Sequence, residues 1–350
     1  MIRDKHVDVM LFWGILFVVI GHCYQSQWFF FSAYAFHMPF FFFISGYLFK
    51  ISEKAGGKAS FIVKKIRKQL IPFLLINLSF GIITVIIGLF GIKLGGGLNF
   101  TNLFIEPFIS NHQYTLNIAS WFLVSLFLVN IIAQLINLKS SRKSKIIVFV
   151  ILIPIALFLI QKGLNNYHDY RLTIVRTGFA LLFFQVGVLF KEFKDTVTGF
   201  LKQPLTIALL WGAVIFLNNA FGNIQYAIVW GNIGNNIIIV PLITTFLIIC
   251  ISFAICYHIS NIVKDNSFII KIGQRSFFIM VLHLSAFFLV NVVFYWLGKV
   301  TIADLSTPYF AYKVNIYFPI YESLGILLPM LFAVVFLRVK EKLPIVRSLR

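Results

Sequence analysis

The chain has few charged residues and very few acidic ones. Only 12% of its 350 residues are Asp, Glu, Lys or Arg, which is about half the share found in globular proteins. Acidic residues number 11, whereas 60% of the chain is hydrophobic and the mean hydropathy is +0.92. A soluble core does not require such a balance, so the composition indicates an integral membrane protein.

Cysteine is also scarce, and the motifs of several enzyme classes are missing. Cys23, Cys250 and Cys256 lie in apolar runs without metal-like spacing, which favours buried structural thiols over a disulfide framework. The sequence contains no CxxC, HExxH, GxxxxGKS, GxxxxGKT or GxSxG. Zinc protease, P-loop ATPase and serine hydrolase functions therefore lack their motifs, and no metal site is predicted.

What the sequence does contain is a series of long apolar runs. A helix needs about 20 apolar residues to cross a bilayer, and ten segments approach that length. We therefore predict an all-α polytopic membrane protein whose residues 1–350 form a single membrane domain. The predicted spans are 9–26, 30–50, 69–92, 119–138, 146–161, 172–190, 204–219, 236–257, 276–297 and 318–337.

The basic residues predict the orientation of the chain. With a cytoplasmic N-terminus, 24 of the 30 Lys and Arg residues fall on the cytoplasmic side and 6 on the outer side. This asymmetry favours a topology with both termini inside. It also accounts for most of the formal net charge of +19, so nucleic acid is not an expected partner.

Three histidines lie within or beside the apolar spans. His22 is late in the first predicted span, about 20 Å from its start, His37 opens the second, and His283 is in the middle of the ninth. Ionisable groups at membrane depth usually face the protein interior and have a function there. A neutral imidazole can take a proton from a hydroxyl, although each histidine could also simply bond a neighbouring helix.

Several basic residues allow two functional interpretations. Arg67 and Lys68, just before Pro72, and Arg275, at the mouth of the ninth span, suit either contacts with anionic lipid or a site for phosphates. Arg67 is preferred for phosphate because a guanidinium can bind it bidentately. Arg176, in the sixth span, either snorkels to the surface or faces an acceptor or a developing charge.

The outer loops are rich in aromatic and amide side chains. Asn111, His112, Gln113 and Tyr114 lie in the loop 93–118, and the loop 162–171 has a similar composition. Aromatic faces stack on sugar rings and amides hydrogen-bond hydroxyls, which suits a neutral hydroxylated ligand. Anchoring at the membrane interface predicts the same aromatic residues, so both interpretations stand.

Several segments together resemble the acyltransferase 3 family, the membrane O-acyltransferases that modify bacterial surface glycans. The combination of VVIGH, ending at His22, with FHMPFFFFISGYLF, starting at Phe36, is specific. Weaker matches follow in the order of the family and extend the resemblance over most of the chain. They are the basic run before Pro72, Trp121-Phe122-Leu123, the helix with Arg176 and Gly187, and GQRSFFIMVLH from Gly273 to His283.

The resemblance implies a ten-helix bundle in the bacterial cytoplasmic membrane. Such an enzyme takes an acyl group, usually acetyl, from cytoplasmic acetyl-CoA and passes it to a hydroxyl of a surface or lipid-linked glycan. Acetyl-CoA is then a substrate, no permanently bound cofactor is expected, and membrane lipid surrounds the protein. His22 and His37 match the catalytic histidines of the family. Donor binding is assigned to Arg67, Lys68, Arg275 and Ser45, and substrate binding to Trp121, Arg176 and His283.

The sequence departs from the family at one position and leaves other functions open. Family members often carry Lys or Arg eleven residues before the first histidine, where this chain has Leu11. Any support from that residue must come from another charge, such as Arg3 or Lys5. The alternatives are a succinyl or other acyltransferase of exopolysaccharide synthesis, an exporter-like protein without transferase activity, and an inactive partner in glycan synthesis. No inverted repeat typical of transporters is apparent.

Overall fold

The structure is a computed structural model that describes residues 4–23, 31–52, 57–137, 141–163, 169–222, 226–228, 232–233, 237 and 239–342. Within this part the fold is helical, apart from two short antiparallel strands, β1 (Tyr226–Ala227) and β2 (Asn232–Ile233). The helices are α1 (Lys5–Cys23), α2 (His37–Tyr47), α3 (Gly57–Lys65), α4 (Ile71–Gly88), α5 (Glu106–Ile109), α6 (Trp121–Ile136), α7 (Arg142–Gly163), α8 (Tyr170–Glu192), α9 (Lys194–Leu201), α10 (Pro204–Phe221), α11 (Ile239–Ile262), α12 (Phe268–Gln274), α13 (Ser276–Trp296), α14 (Ile302–Ser306) and α15 (Val314–Lys342). Two 3-10 turns, Ala33–Ala35 and Thr115–Ser120, and two π turns, Ile66–Leu70 and Thr101–Ile105, complete the helical elements.

Eight helical stretches of the described residues are long and apolar enough to cross a membrane. They confirm the prediction of an all-α polytopic membrane protein. The predicted number of ten membrane spans and the predicted orientation of the chain stay predictions. The second predicted span corresponds to α2, whose 11 residues cover about 16 Å, too little to cross a bilayer alone. The fifth lies within α7, which has 22 residues but is not among the eight and carries basic residues in its first turn.

The first helix starts earlier than the hydropathy pattern predicts. It begins at Lys5 because the polar side chains of its first turns have partners inside the protein. Lys5 Nζ lies 3.1 Å from a carboxylate oxygen of Asp265, and Gln274 Nε2 donates to Asp8 Oδ2 at 3.0 Å. His22 lies in the last turn of α1, near the late position predicted for it in the first span.

A pair of glycines brings α2 and α8 into backbone contact. A Cβ added to Gly46 would lie 1.8 Å from the carbonyl oxygen of Phe184, and one added to Gly187 would lie 2.0 Å from that of Phe43. Small residues allow this close approach between helices within membranes, where packing rather than the hydrophobic effect drives association. The contact holds the short helix α2 in the centre of the bundle, and most of its residues are buried.

Prolines explain both π turns. Pro72 has no N–H, so the carbonyl of Lys68 lacks its α-helical donor and the helix widens into a π turn just before α4. Pro107 follows the second π turn and leaves the carbonyl of Leu103 without its donor in the same way. Asn77 Nδ2 donates to that carbonyl at 3.0 Å, which gives a polar residue in the middle of an apolar helix its partner.

The two cysteines that the structure describes with their side chains are buried. Cys250 and Cys256 both lie on α11 as free thiols. Cys256 Sγ lies 3.8 Å from the carbonyl oxygen of Val9, so it packs between α11 and α1. The predicted structural role is confirmed for these two, and the side chain of Cys23 lies outside the described residues.

We predict that Gly187→Ala destabilises the protein, because the new methyl would meet backbone atoms of α2 that no side-chain rotation can move. Overpacking of this kind costs about 1–3 kcal/mol or more. The melting temperature of the detergent-solubilised protein, followed by size-exclusion chromatography after heating, should fall clearly below that of the wild type.

Gly212→Ala in α10 is the matched control. A Cβ added there would meet nothing within 4 Å, and alanine favours the helix by about 1 kcal/mol over glycine. Its melting temperature should equal or exceed that of the wild type. Equal melting temperatures for the two alanine variants would contradict the proposed close contact of α2 with α8.

Candidate active site

The structure brings the three predicted histidines together at one end of α1. His22 and His37 line a cavity of about 30 Å³, and the ring centroid of His283 lies 5.1 Å from that of His22. His283 itself is fully buried behind this cavity rather than on its wall. We call the space the histidine cavity; the described residues of its wall are Val18, His22, Tyr34, His37, Met38, Ala119, Trp121, Ile228, Met280 and Tyr309.

Hydrogen bonds define the tautomers of two histidines. His37 Nδ1 lies 2.6 Å from the carbonyl oxygen of Ala33, and His283 Nδ1 lies 3.0 Å from that of Ile279. A carbonyl only accepts, so each Nδ1 donates a proton and each Nε2 carries the lone pair of a neutral ring. His283 Nε2 is buried and has no hydrogen-bond partner among the described residues. The described residues contain no cluster of His, Cys, Asp or Glu suited to a metal ion.

The imidazole of His22 is held between two tyrosines. Its Nδ1 lies 3.2 Å from the hydroxyl oxygen of Tyr34, and its ring is stacked on that of Tyr309 with centroids 5.1 Å apart and planes 2° from parallel. These contacts fix the orientation of the ring. Nε2 is therefore the nitrogen of His22 that remains available for a substrate.

Tyr309 adopts a backbone conformation that is rare for a bulky residue. Its φ is 59°, in the left-handed region, which costs about 1–3 kcal/mol and occurs disproportionately at functional sites. Burial of its phenol also raises the pKa of Tyr309 above the usual tyrosine value, so the hydroxyl stays protonated at neutral pH. Sequence reasoning missed both tyrosines around His22. Tyr34 lies in the aromatic-rich second predicted span, and only the aromatic richness of the outer loops pointed to Tyr309.

Trp121 and Arg176, both predicted to bind substrate, occupy different positions. Trp121, the first residue of α6, lines the histidine cavity. Arg176 is only 2% exposed and lies behind it, with its guanidinium 5.0 Å from the Trp121 ring. Its Nη1 donates to the carbonyl of Ser110 at 2.8 Å, and its Nη2 donates to His112 Nε2 at 3.3 Å. Arg176 thus fixes the loop before Trp121 and is not among the described residues that line the cavity.

The amide side chains of the loop 93–118 also help to fix this loop. Gln113 Nε2 donates to Asn77 Oδ1 at 2.7 Å, and Asn111 Nδ2 donates to Ser120 Oγ at 3.0 Å. Asn111 and Gln113 are both buried, so their donors hold the loop rather than face solvent. Within the second loop, residues 164–168 lie outside the described part of the chain.

A second, larger cavity lies at the other end of α2. It has a volume of about 710 Å³. Lys65 Nζ donates to Asn130 Oδ1 at 2.6 Å across its wall. We call it the basic cavity because four of the described lysines line it; the described residues of its wall are Ser45, Leu48, Phe49, Lys50, Ile51, Ser52, Gly57, Ser60, Phe61, Lys64, Lys65, Lys68, Gln69 and Asn130.

The basic cavity contains two of the four residues predicted to bind the acyl donor. Ser45 and Lys68 are on its wall. Arg67 is exposed on the adjacent π turn and is not part of the wall. Arg275 lies at the junction of α12 and α13, where its Nη1 donates to the carbonyl of Lys271 at 3.3 Å. Sequence reasoning passed over Lys50 and Asn130, and within the basic run before Pro72 it preferred Arg67 to Lys64 and Lys65, since nothing in the sequence showed which faces of these helices meet.

No residue of α1 supplies the positive charge that family members often carry at the position of Leu11. Leu11 is half-buried and packs against the core. Lys5 is held by Asp265 at the opposite end of α1, about 26 Å from His22 along the helix axis. Arg3 lies outside the described residues, so its part in the prediction stays untested.

The comparison with known proteins identifies the family of the chain. The model of the acyltransferase 3 family, described as an acyltransferase domain, matches residues 4–338, which is nearly the whole chain. No curated protein and no solved structure matches it. The match includes every residue that lines the histidine cavity and the basic cavity. The chain therefore belongs to the acyltransferase 3 family and is a membrane acyltransferase.

Proposed function

We propose that the protein is an acetyl-CoA-dependent O-acetyltransferase of the bacterial cytoplasmic membrane. Its acceptor is a hydroxyl of a cell-surface or lipid-linked glycan. One observation carries the proposal: the same two helices, α2 and α6, each provide a wall residue to the basic cavity and to the histidine cavity. A site for phosphates and a site for acyl transfer are thereby held at a fixed distance.

The basic cavity suits the phosphates of coenzyme A. Lys50, Lys64, Lys65 and Lys68 line it, and hydrogen bonds between ammonium and phosphate groups are among the stronger ones in proteins. The segment that carries these lysines is the most basic of those predicted to face the cytoplasm. The cytoplasm is also where acetyl-CoA is available to a membrane enzyme.

The separation of the two cavities fits the pantetheine arm of coenzyme A. Eight residues separate His37 from Ser45 on α2, and nine separate Trp121 from Asn130 on α6, which correspond to about 12 and 13 Å. The arm has roughly the backbone length of four to five extended residues, about 15 Å. A thioester anchored by its phosphates in the basic cavity therefore reaches His22.

Aromatic rings occupy the interval between the cavities. Phe122 on α6 packs against Phe42 and Phe41 on α2, with ring centroids 4.8 and 5.7 Å away, respectively. None of the three belongs to either wall. Entry of the arm therefore requires these rings to move aside, and donor binding is coupled to repacking between α2 and α6.

His22 Nε2 supplies the chemistry in either of two ways. As a general base it takes the proton of the acceptor hydroxyl while the hydroxyl oxygen attacks the acyl carbon. The carbon–sulfur bond then breaks, and the departing thiolate takes the proton from His22. As a nucleophile, Nε2 first receives the acyl group and passes it to the hydroxyl afterwards. In both cases Tyr34 and Tyr309 orient the ring, and the Nε2 lone pair of His37 offers a second site for the proton.

We predict that His22→Ala abolishes acetyl transfer, because the alanine side chain offers no lone pair to take the proton of the hydroxyl. The loss of a general base typically costs about 10²–10⁴-fold in rate. The measurement is the release of free CoA from acetyl-CoA by purified protein in detergent, with an envelope extract of the source cells as acceptor.

His258→Ala is the control, because His258 is exposed on α11 and bonds only the carbonyl of Lys202 at 3.1 Å among the described contacts. It should keep the wild-type rate. Full transfer by folded His22→Ala would remove His22 from the mechanism. Labelled acetyl groups that remain on the wild-type protein without acceptor, and not on the variant, would select the nucleophilic route.

We predict that Lys68→Glu raises the KM for acetyl-CoA with little change in kcat, because it replaces an attraction to phosphate by repulsion. A hydrogen bond to a charged group is worth about 1.5–3 kcal/mol, and about 1.4 kcal/mol corresponds to tenfold, so KM should rise by about tenfold or more. Steady-state kinetics at low and high salt measure the effect, which should shrink as salt screens the charges.

Lys143→Glu introduces the same change of charge at an exposed site in the first turn of α7, away from the basic cavity. Its KM should match that of the wild type. If both variants raise KM equally, the overall charge of this face attracts the donor, and the basic cavity is not the phosphate site.

A further inference from the structure

We propose that a third cavity, which adjoins the histidine cavity at Tyr309, binds an uncharged sugar ring of the acceptor. The Tyr309 ring is the partition that keeps water in this third cavity away from the acyl donor until the acceptor is bound. The inference rests on the proposed function, since it places the acceptor of that reaction and names its charge class. The observations that carry it are the position of Tyr309, the contacts that hold it and the composition of the cavity wall.

The third cavity lies between one membrane helix and two segments that the sequence predicts to face outward. Four of its described wall residues belong to α13, from Leu284 to Asn291, which span about 10 Å along the helix axis. The other seven lie in the segments 93–118 and 298–317. Under the predicted orientation, an acceptor on the outer side of the membrane meets this cavity first, whereas the donor enters at the basic cavity.

Tyr309 is the one described residue that lines both this cavity and the histidine cavity. Its ring is stacked on that of His22 with centroids 5.1 Å apart. Phe287, on the wall of the third cavity, packs edge-on against His283 with centroids 5.9 Å apart. The third cavity therefore reaches the depth of the histidines, and the Tyr309 ring separates a hydroxyl held there from His22.

The backbone next to Tyr309 is held by two buried polar side chains, those of Asn291 and Tyr321. Asn291 Nδ2 donates to the carbonyl of Phe310 at 2.7 Å, and the backbone N–H of Tyr312 donates to the hydroxyl oxygen of Tyr321 at 2.9 Å. The Tyr321 hydroxyl in turn donates to Asn291 Oδ1. These bonds fix the segment after Tyr309 and so support its left-handed backbone. The ring is thereby a positioned part of the wall.

The wall of the third cavity suits a sugar ring without charge. Its described residues include the aromatic rings of Phe287, Phe288, Tyr309 and Phe310, whose negative faces attract the C–H groups of a sugar. Thr307 Oγ1 donates to a backbone carbonyl at 3.0 Å, which leaves its oxygen lone pairs to accept from a sugar hydroxyl.

The same wall disfavours a charged acceptor group. None of its described residues is acidic or basic. The lysines of the two outer segments, Lys93, Lys299 and Lys313, are exposed and are not on the wall. A carboxylate or phosphate moved from water into this site would lose its hydration without gaining a described partner, which is strongly unfavourable.

The Tyr309 ring decides which nucleophile reaches the acyl carbon. In transfer, the acceptor oxygen bonds to the acyl carbon, the carbon–sulfur bond of the thioester breaks, and the hydroxyl proton passes through His22 to the thiolate. In hydrolysis, a water oxygen forms the new bond instead, and the products are acetic acid and CoA. Both reactions use the same donor and the same histidine, so the exclusion of water selects between them.

Tyr309→Ala tests the partition. The measured quantity is the rate of CoA release from acetyl-CoA without acceptor, divided by the rate with the envelope extract, for purified protein in detergent. Alanine keeps Cβ but removes the ring, so this ratio should rise by about tenfold or more, which corresponds to about 1.4 kcal/mol in the difference between the two barriers. A disoriented His22 alone would lower both rates and leave the ratio unchanged. Tyr309→Phe keeps the ring and should keep the wild-type ratio.

Thr307→Cys tests the acceptor route independently of the tyrosine. Thr307 is an exposed wall residue, so a cysteine there can be labelled with a bulky maleimide in the purified protein. Labelling should raise the KM for the extract by about tenfold or more, since a group that a pocket cannot accommodate typically costs about 10–200-fold, and should leave the KM for acetyl-CoA unchanged. Labelled Lys299→Cys, exposed in the same segment but not on the wall, should match the wild type treated with the same maleimide.

The product tests the charge class of the acceptor. Radiolabelled acetyl groups are transferred to the extract by the wild type, and the glycan is then cleaved by mild acid. The labelled monosaccharide should pass through an anion exchanger at neutral pH without being retained. A retained label, as on a uronic acid or a sugar phosphate, would overturn the choice of an uncharged ring.

The outcomes separate this inference from the proposed function. An unchanged ratio in folded Tyr309→Ala would overturn the partition, and an unchanged KM for the extract in labelled Thr307→Cys would overturn the acceptor site. Both results leave the acyltransferase function intact. If Tyr309→Ala does not fold, the labelled cysteine variant decides alone. A folded wild type whose CoA release does not increase when the extract is added would refute the proposed function itself, and the inference with it.

Discussion

The contact between the backbones of α2 and α8 is the constraint on which both cavities depend. Helix α2 is too short to be fixed by a full crossing of the membrane, so its position comes from the packing of Gly46 and Gly187 against α8 and α2, respectively. The helix presents His37 to one cavity and Ser45 to the other. A shift of α2 by the width of a methyl group would therefore change the basic cavity and the histidine cavity together.

The polar groups around the histidine cavity are fixed by backbone carbonyls at membrane depth. His37 and His283 each donate Nδ1–H to the carbonyl of a residue four positions earlier. Arg176 donates to the carbonyl of Ser110, and Asn77 donates to that of Leu103. The Leu103 carbonyl lacks a backbone donor because of Pro107. In an environment without water these carbonyls are the available acceptors, and they leave the Nε2 atoms of the histidines for chemistry.

The convergence of His22 and His37 was predictable, because consecutive helices joined by a short connection place their adjoining ends close together. The approach of His283 was not, because it lies in the middle of a helix that is distant in the sequence. The length of α2 was not, since a run of phenylalanines has the same hydropathy in a short buried helix as in a full span, and the break at Phe36, with φ of −149°, leaves no mark in composition. Tyr309 was missed because its position depends on a loop conformation. Arg176 was assigned to substrate because sequence cannot show that a charged side chain is bonded behind a tryptophan.

The packing of Phe122 against Phe41 and Phe42 has a consequence for the permeability of the membrane. An enzyme that carries an acyl group across a bilayer must not leave a continuous column of water, through which protons would flow down the electrochemical gradient. Among the described residues, the two cavities share no wall residue, and these aromatic rings pack against one another where α2 meets α6. Under the proposed function, the apolar pantetheine arm would displace these rings and would itself keep water out of the passage while it occupies it.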